Sequence, residues 1–496
     1  MARTQYIYEP NMIVPLAASF NQRGLKGYTQ AVTNADDQLK INSVYEPVTN
    51  AGTGKTTLYL CKRPGVVDSG NTYGTSSQVA YFSEIDPEAF TNGPLWTWVF
   101  SKNGNDIVAA SRTSTSVVST AVGFAPAFAD KYTNSLDTYA VLQIRDSAGA
   151  QRAFLAASLV GGWTEIADSD FTGLDHQGKM EFLDGYAFIS TPRSVYNSEL
   201  NTVSTWTASA YIDRQINQDP GIGLARLGKQ IISFGTASFE VFRNAGTAFG
   251  SPLESVHELS QRYGLAETSV VGMRHYSVVI DGRLYWRGSN PEGVFAYNGS
   301  VVEKVSPLAV DKILAERQHY YVSRIGLQGQ VALVIGLDLP SATTQRALLF
   351  FPEWKDWFIW ESTVFMPLAC WRSERVCLGI GGNTHKVFEV SVSTENFQDA
   401  GTNYTWTHQF KIPKRGNGFQ KMDMFGLVGD TASTAQLVNV QFSDDDYASF
   451  AAARTIDMSG TDKMITRCGG YRSRAVKLSY AGDQALRIES AMARIS

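Results

Sequence analysis

The segment Phe182-Leu183-Asp184-Gly185-Tyr186-Ala187-Phe188-Ile189 joins an apolar run, a turn that contains glycine, and a second run of aromatic and β-branched residues. The same pattern occurs in residues 231–242, 279–286 and 378–390, with a weaker copy in residues 329–337. The glycines of these segments are spaced 47 to 53 residues apart and are Gly185, Gly235, Gly282, Gly329 and Gly382. A repeat of about 50 residues indicates blades or solenoid units, because one small sheet cannot bury its own faces. We therefore predict a β-propeller, a scaffold that hosts enzymes, lectins and assembly proteins alike.

The rest of the central region supports this prediction. From residue 46 to about 395, strand-like runs alternate with turns rich in Gly, Asn, Asp and Ser, at intervals that suit antiparallel sheets. Residues 138–144 and 152–156 flank the turn sequence Ser147-Ala148-Gly149 and indicate a hairpin. A region of about 350 residues, at about 50 per blade, allows six or seven blades. Helix is expected only in residues 309–318, with a further turn near residues 253–259.

Composition divides the chain into three regions. Residues 1–45 are expected to form an extended arm, residues 46–399 the propeller body, and residues 400–496 a separate module. Residues 1–400 carry 31 basic and 38 acidic side chains, a net charge of −7, whereas residues 401–496 carry 12 basic and 9 acidic ones, a net charge of +3. Several short apolar runs in the C-terminal module favour a β-sandwich. The predicted fold class is therefore all-β, a six- or seven-bladed β-propeller followed by a C-terminal β-sandwich.

Charge and cysteine content argue against several classes of protein. The net charge of −4 and the pI near 5.9 disfavour a protein that wraps nucleic acid, which needs basic patches. Cys61, Cys370, Cys377 and Cys468 match no common zinc or redox spacing, so buried free thiols are expected. The first residues lack the apolar core of a signal peptide, and no apolar run approaches the roughly 18 residues that span a bilayer. We expect a soluble protein made in the cytosol, without membrane insertion.

The sharpest enzyme-like motif is Ala51-Gly52-Thr53-Gly54-Lys55-Thr56-Thr57, which carries the second half of a phosphate-binding loop. The full pattern requires a glycine where Thr49 stands, a buried strand before the loop and a helix after it. Residues 58–65 are instead typical of a strand that ends in a turn. We therefore predict the tip of a hairpin and no nucleotide chemistry.

Two acidic stretches also suggest functional sites. Ser443-Asp444-Asp445-Asp446-Tyr447-Ala448-Ser449-Phe450 is a degenerate form of the Asp-box turn of sialidase-like propellers. Its three carboxylates could bind a hard cation, but neighbouring residues of an extended chain point to opposite faces, so a solvated turn is favoured. A glycosidase needs two carboxyls that face one another. The second stretch has no obvious partner cluster and is interpreted as a loop between blades; its members are Glu165, Asp168, Asp170, Asp175 and His176.

The sequence assigns no catalytic, cofactor-binding or metal-binding residue. The histidines are scattered, without a spacing that suits metal ligation, and are His176, His257, His275, His319, His385 and His408. There is no Gly-x-Ser-x-Gly elbow for a nucleophile. We therefore expect no cofactor, and we predict that the chain is not an enzyme.

One family does resemble this chain. Residues 231–242, with Phe234-Gly235-Thr236-Ala237-Ser238-Phe239-Glu240-Val241-Phe242 at their centre, are similar to the strand signature of packaged-DNA stabilisation proteins, the tail hub or nozzle proteins of short-tailed bacteriophages. The other matching stretches are Lys62-Arg63-Pro64-Gly65, Gly246-Thr247-Ala248, Gln261-Arg262-Tyr263-Gly264-Leu265-Ala266, Leu348-Leu349-Phe350-Phe351 with Trp354 and Trp357 to Trp360, and residues 472–495. The resemblance covers residues 40–496 in patches, and its motifs are structural.

The resemblance implies a structural virion protein without catalytic residues. It would form a homo-hexameric, six-fold ring below the portal and its adaptor, retain packaged DNA, and dock tail spikes, fibres or a needle-like plug. Duplex DNA would pass through the lumen without tight binding, which an acidic body suits. The protein would lie in the phage tail and, during assembly, in the bacterial cytoplasm. Two alternatives remain: a propeller enzyme that degrades polysaccharide, which facing carboxylates in a central cleft would support, and a carbohydrate-binding tail adhesin, which trimeric assembly would support.

Overall fold

The fold was analysed in a computed structural model of the chain. The structure describes residues 12–15, 38–49, 51–52, 54–72, 81–83, 98–103, 106–110, 115–120, 122–134, 137–146, 148, 150–157, 162–247, 249–266, 276–316, 321–327, 329–337, 344–364, 366–370, 377–380, 386–390, 396–412 and 418–496.

Seven sets of four antiparallel strands form the blades of a propeller within these residues. Five of them are separate four-stranded sheets, the sixth is part of a nine-stranded sheet, and the seventh is part of a six-stranded sheet. Blade 1 contains Tyr81–Ser83, Trp98–Asn103, Asp106–Ala110 and Thr115–Thr120. Blade 2 contains Ala125–Thr133, Thr138–Arg145, Gln151–Ala156 and Thr164–Glu165. Blade 3 contains Gln177–Leu183, Tyr186–Ser190, Ser194–Ser198 and Trp206–Asp213. Blade 4 contains Gly221–Leu227, Gln230–Gly235, Phe239–Asn244 and Leu253–Ser255. Blade 5 contains Ser277–Ile280, Arg283–Ser289, Glu292–Tyr297 and Val302–Lys304. Blade 6 contains Tyr321–Leu327, Gln330–Gly336, Gln345–Phe351 and Asp356–Ser362. Blade 7 contains Met366–Cys370, Cys377–Ile380, Lys386–Val390 and Val66–Thr72. The predicted propeller is confirmed, and the number of blades is seven.

The ring closes with a strand from the other end of the chain. Blade 7 takes three strands from residues 366–390 and its fourth, Val66–Thr72, from the start of the propeller. The innermost strand of blade 7, Met366–Cys370, contacts the innermost strand of blade 1, Tyr81–Ser83. Because two distant segments share one blade, the ring cannot open without breaking a sheet.

Glycine turns mark the first hairpin of several blades. Asp184 and Gly185 both have positive φ, 51° and 84°, and Asp281 and Gly282 repeat this with 48° and 72°. Positive φ at both central residues favours the two-residue hairpin turn that Asp-Gly adopts readily. The equivalent turn of blade 4 contains Gly228, with φ of 59°, whereas Gly235 lies at the end of the second strand of that blade. The sequence repeat therefore aligned Gly235 with the wrong position.

Gly329 has a φ of 79° and belongs to the first hairpin of blade 6, as the repeat predicted. Gly382 lies outside the described residues.

Two further sheets face each other across a common core. Sheet I contains Gln38–Ile41, Trp406–Lys411, Ala475–Tyr480, Leu437–Ser443 and Arg454–Asp457. Sheet II contains Ser43–Thr49, Thr56–Lys62, Arg487–Ile495, Gln420–Gly429 and Met464–Tyr471, with Met12–Pro15 paired to Arg487–Ile495. Side chains of both sheets meet in one hydrophobic cluster, which includes Tyr45, Leu60, Phe410, Phe425 and Leu478. This is the sandwich expected after residue 400, but it also contains strands from residues 38–62.

The N-terminal strands of the sandwich differ from the expected boundary at residue 46. The strand Gln38–Ile41 pairs with Trp406–Lys411, and Thr56–Lys62 pairs with Arg487–Ile495. Without Gln38–Ile41 and Thr56–Lys62, the strands Trp406–Lys411 and Arg487–Ile495 would each have unpaired residues at one edge. Of the expected extended arm, residues 1–11 and 16–37 lie outside the described residues.

Helix is sparse, as predicted. The helix Leu308–Glu316 lies within one residue of the expected start, and a 3₁₀ turn at His257–Leu259 falls in the expected turn region. A single helical turn, Ser169–Thr172, was not expected. In the part of the chain that the structure describes, no helix is long and apolar enough to cross a membrane. Two short strands, Gln398–Asp399 and Thr402–Asn403, extend blade 7 towards the sandwich.

Candidate functional site

Charged side chains from the innermost strands of blades 2, 3 and 4 meet near the propeller axis. Asp130 comes from blade 2, Lys179 and Glu181 from blade 3, and Arg226 from blade 4. Side chains alternate along a strand, so Lys179 and Glu181 point to one side while Met180 and Phe182 point to the other. Met180 and Phe182 pack in the hydrophobic layer between blades 2 and 3. We call Asp130, Lys179, Glu181, Arg226 and Tyr276 the axial cluster.

Within the cluster, Lys179 and Glu181 form an ion pair with 2.5 Å between Nζ and Oε1. Glu181 is 5% exposed, whereas Asp130 is open to solvent. Arg226 donates from Nη1 to the carbonyl of Phe182 at 2.7 Å, which ties blade 4 to blade 3. The cluster thus contains one buried carboxyl and one exposed carboxyl, with cations between and beside them.

Tyr276 reaches into the cluster from the start of blade 5. Its hydroxyl donates to the carbonyl of Leu224 at 2.6 Å and accepts from the amides of Leu224 and Lys179 at 2.9 and 3.2 Å. The close approach requires glycine, since a Cβ at Gly178 or Gly223 would lie 2.7 Å from the tyrosine hydroxyl oxygen. The ring also lies 6.1 Å from that of Phe128 in blade 2. Tyr276 therefore joins blades 3, 4 and 5 and forms one wall of the site.

The electrostatics of the cluster raise the pKa of both carboxyls, although Lys179 is ion-paired with Glu181. Desolvation raises the pKa of Glu181, the adjacent Lys179 opposes this, and the charge of Asp130 raises it further. Asp130 has solvent-accessible surface but is surrounded by protein groups, so desolvation also raises its pKa, against the opposing charges of Lys179 and Arg226. Burial disfavours the charge of Lys179, yet the Glu181 carboxylate raises its pKa overall. Burial raises the pKa of Tyr276 to about 12, so this hydroxyl stays protonated.

Chemically, the cluster brings two carboxyls, Asp130 and Glu181, within electrostatic reach of one another, and hydrolysis of a glycosidic bond uses two carboxyls. One must hold a proton for the leaving oxygen, and the other must act as base or nucleophile. Lys179 and Arg226 could donate hydrogen bonds to sugar hydroxyls, whereas the hydroxyl hydrogen of Tyr276 is already donated to the carbonyl of Leu224.

The acid-rich stretch predicted as a connecting loop joins blades 2 and 3. Asp168 accepts from the amides of Asp170 at 2.9 Å and Trp206 at 3.1 Å, and so caps the short helix. Glu165 is ion-paired with Arg152, and Asp175 accepts from the amide side chain of Gln177. His176 is buried, with Nε2 2.7 Å from the carbonyl of Phe171. These partners account for the stretch as a structural connection, in agreement with the sequence interpretation.

The Gly/Lys motif is a hairpin tip, as predicted. Thr49 pairs with Thr56 in an antiparallel hairpin, and Gly54 in the turn has a φ of 66°. Lys55 is exposed, and a strand rather than a helix follows it. The backbone here cannot enclose a phosphate group in the manner of a nucleotide-binding loop.

The carboxylates of the Asp-box-like turn are held by nearby protein groups. Asp444 forms a bidentate pair with Arg474, with both oxygen–nitrogen distances at 2.7 Å. Asp446 is ion-paired with Lys411, and Asp445 accepts from Ser443 at 2.7 Å. Within the described residues, no group of three or more His, Cys, Asp and Glu side chains could hold a metal ion. His275, His319 and His385 lie outside the described residues, and Cys61 and Cys468 are buried free thiols.

Sequence reasoning missed the axial cluster, because its members are distributed over four blades. The usable signal was a charged residue inside an otherwise apolar strand, as in Gly178-Lys179-Met180-Glu181-Phe182. Such a residue either pairs with an opposite charge or faces a polar cavity. The sequence does not reveal which blades bring these residues together.

No protein-family model matches the chain, and no curated protein matches its sequence. Among solved structures, the chain is similar to an exo-β-1,3-galactanase from Phanerochaete chrysosporium with galactose, at 9% identity over 87% of this chain and 100% of that chain, with a TM-score of 0.28. It is similar to Trypanosoma rangeli sialidase at 8% identity over 92% of this chain and 94% of that one, with a TM-score of 0.29. It is also similar to an Aleuria aurantia lectin variant in complex with a fucose-containing disaccharide, at 10% identity over 58% of this chain and 96% of that one, with a TM-score of 0.30.

These matches concern the fold, and at such TM-scores they assign no role to a residue of this chain. They do correct one expectation. Since glycoside hydrolases are among the matched propellers, the propeller fold does not support the prediction that the chain is not an enzyme, and we withdraw it.

Proposed function

We propose that the chain is a carbohydrate-active propeller protein and that the axial cluster is its saccharide site. The observation that carries this proposal is the pair of carboxyls on neighbouring blades, Asp130 and Glu181, each with a raised pKa. A carboxyl that keeps its proton beside a second carboxyl is the arrangement that glycosidases use.

In this proposal Glu181 is the general acid and Asp130 is the second carboxylate. Glu181 is the more buried of the two, and burial together with the charge of Asp130 raises its pKa against the opposing charge of Lys179. Asp130 is exposed, so water or a sugar ring can reach it. Lys179 would move its ion pair from Glu181 towards Asp130 or a sugar hydroxyl when substrate binds.

The test is hydrolysis of a panel of saccharides by single variants of the two carboxyls. The panel contains a β-1,3-galactan, an arabinoxylan and a sialylated oligosaccharide, and the measurement is release of new reducing ends or free sialic acid. Glu181→Gln and Asp130→Asn should each lower the rate at least about 100-fold, the usual contribution of a positioned acid or base. Asp175→Asn is the matched control, because Asp175 is an exposed acid in the connection between blades 2 and 3.

Retained hydrolysis in both cluster variants would place the active site elsewhere. Saccharide binding without hydrolysis, lost in the same variants, would favour the adhesin alternative. Neither binding nor hydrolysis with any member of the panel would count against a carbohydrate function.

A second candidate function is the tail hub implied by the sequence resemblance, and the join between propeller and sandwich favours it. A hub must transmit force without separating into parts. One hydrophobic cluster includes Phe358 and Trp360 of blade 6, Phe388 of blade 7, and Trp406 and Phe425 of the sandwich. Blades 6 and 7 and the sandwich therefore share one core, which suits a rigid ring subunit that would contact a portal-adaptor protein, tail spikes or fibres, and DNA in transit.

Native mass spectrometry of the full-length protein, alone and with its portal-adaptor complex, tests this second candidate. Six-fold assembly supports a hub, because a head-to-tail interface closes into a ring when its rotation allows. A strictly monomeric or trimeric protein under both conditions would contradict it.

A further inference from the structure

The strand Gln38–Ile41 connects the propeller to the sandwich, and we call it the seam strand. On one side it pairs with four residues of Trp406–Lys411 in antiparallel register. On the other side it meets blade 6 in parallel, where Ile41 pairs with Ile359. Asn42 adds two hydrogen bonds there, from its amide to the carbonyl of Ile359 at 2.8 Å and from the amide of Glu361 to its Oδ1 at 2.9 Å. The blade side of the seam therefore has few backbone hydrogen bonds.

A buried histidine faces the core directly beside the seam strand. His408 is the register partner of Lys40 and has no exposed surface. Its ring lies 6.3 Å from that of Trp406 and 5.1 Å from that of Phe410. Among the described residues, neither ring nitrogen of His408 has a hydrogen-bond partner, and the same holds for both side-chain polar atoms of Gln38 and for Nε1 of Trp406.

The charged groups around His408 make a positive imidazolium unfavourable. On the seam strand, Lys40 lies opposite His408 and is ion-paired with Asp356 of blade 6. Asp356 also accepts a hydrogen bond from the hydroxyl of Tyr45 in sheet II at 2.5 Å, so its carboxylate already interacts with both Lys40 and Tyr45. On the other side, the register partner of His408 is the apolar Leu478. Burial holds the pKa of His408 well below its usual value, and Lys40 lowers it further.

We propose that the seam is an acid-sensitive switch, in which protonation of His408 opens the strands that join the sandwich to blade 6. The closed seam cannot accept the proton, because the imidazolium would be buried without a partner beside Lys40. The open seam exposes His408 to water, where its pKa is about 6.5. Acid therefore stabilises the open form only.

The sign and size of the effect follow from proton linkage. A group whose pKa is depressed in the closed form contributes stability that is complete above about pH 6.5 and is lost as the pH falls below it. With an open-state pKa of about 6.5, the opening equilibrium at pH 5.5 should be about tenfold larger than at pH 7.5.

Hydrogen–deuterium exchange of the full-length protein at pH 7.5 and 5.5 tests the proposal, after correction for the intrinsic pH dependence of amide exchange. Peptides that cover Gln38–Ile41 and Trp406–Lys411 should open about tenfold more at pH 5.5. Peptides that cover the blade 4 strand Gln230–Gly235 should not change. His408→Phe should abolish the difference, since phenylalanine fills the site without a titrating group, and His257→Gln, an exposed histidine, should leave it intact.

Equal exchange of the seam peptides at the two pH values would overturn the proposal, and so would a pH response that survives in His408→Phe. If that variant does not fold, the comparison of seam and blade 4 peptides in the unmodified protein still decides the question. His176, the other buried histidine among the described residues, lies between blades 2 and 3. Exchange of the peptide that contains His176 is therefore measured separately from exchange of the seam peptides.

Discussion

Arg63 is an example of how buried charges are satisfied in this molecule. Its two terminal nitrogens bind both oxygens of Asp399 at 2.9 and 2.6 Å, and its Nε donates to Asn42 at 3.0 Å. The guanidinium lies 3.8 Å from the centre of the Tyr404 ring. A planar fork of donors stacked on an aromatic ring is a site that lysine cannot reproduce. The residue joins the sandwich to Val66–Thr72, the strand that closes the ring in blade 7 and that begins three residues later.

Replacing Arg63 with alanine should destabilise the protein strongly. Asp399 would remain buried without its partner, and breaking a buried pair in this way costs about 3–5 kcal/mol. The free energy of unfolding, measured by urea denaturation, should fall by that amount. The control is Arg243→Ala, which breaks an exposed pair with Glu254 and should change stability by less than about 1 kcal/mol. Equal losses in the two variants would contradict this view of Arg63.

Replacing Gly223 with alanine should disturb the axial cluster through Tyr276. The new Cβ would lie 2.7 Å from both Cζ and the hydroxyl oxygen of Tyr276, so the ring must move or the strand must shift. Overpacking of this kind costs about 1–3 kcal/mol, and saccharide binding at the axis should weaken as well. Gly418→Ala is the control, since nothing lies within 4 Å of its Cβ position. Unchanged stability and binding in Gly223→Ala would show that Tyr276 is not fixed as described.

Among the single elements, the closing strand Val66–Thr72 completes blade 7 and so closes the propeller ring. Val66 has no exposed surface, pairs with Val390 of blade 7 and pairs with Asp399 on its other side. The next residue, Val67, is 38% exposed on the same strand. The two valines therefore test the buried and exposed faces of one element.

Val66→Asp should open the propeller, because an unpaired carboxylate cannot be accommodated in that core. Limited proteolysis should then cut blade 7 much faster than in the unmodified protein. Val67→Asp should behave like the unmodified protein, within about 0.5 kcal/mol of stability. Rapid cleavage in both variants, or in neither, would contradict the role of Val66–Thr72 as the closing strand.

Elements differ in how far the sequence predicts them. Asp184-Gly185 and Asp281-Gly282 mark turns that depend only on neighbouring residues, so the hairpins of blades 3 and 5 are predictable. The closing strand is not, since its pairing with Lys386–Val390 joins distant segments. The seam strand is missed for the same reason. The axial carboxyls Asp130 and Glu181 are visible only as single charges, and their proximity depends on how blades 2 and 3 pack.

At the scale of the whole molecule, the chain has a net charge of −4, with a net charge of −7 in residues 1–400 and of +3 in residues 401–496. A protein that confines DNA in a ring need not bind it, and an acidic body should repel phosphates. If the chain is a hub, the purified protein should show little affinity for duplex DNA at physiological salt in an electrophoretic mobility assay. Tight binding that weakens steeply with salt would contradict the hub proposal.

The most direct test of the carbohydrate proposal is a crystal structure of the Glu181→Gln variant in complex with the oligosaccharide that the unmodified protein binds best. The amide removes the proposed acid but keeps the shape of the site, so an uncleaved ligand should remain. A saccharide is expected at the propeller axis, with sugar oxygens within hydrogen-bonding distance of Asp130 and of residue 181. A saccharide bound only at another surface, with the axial cluster unchanged and without ligand, would contradict the central proposal.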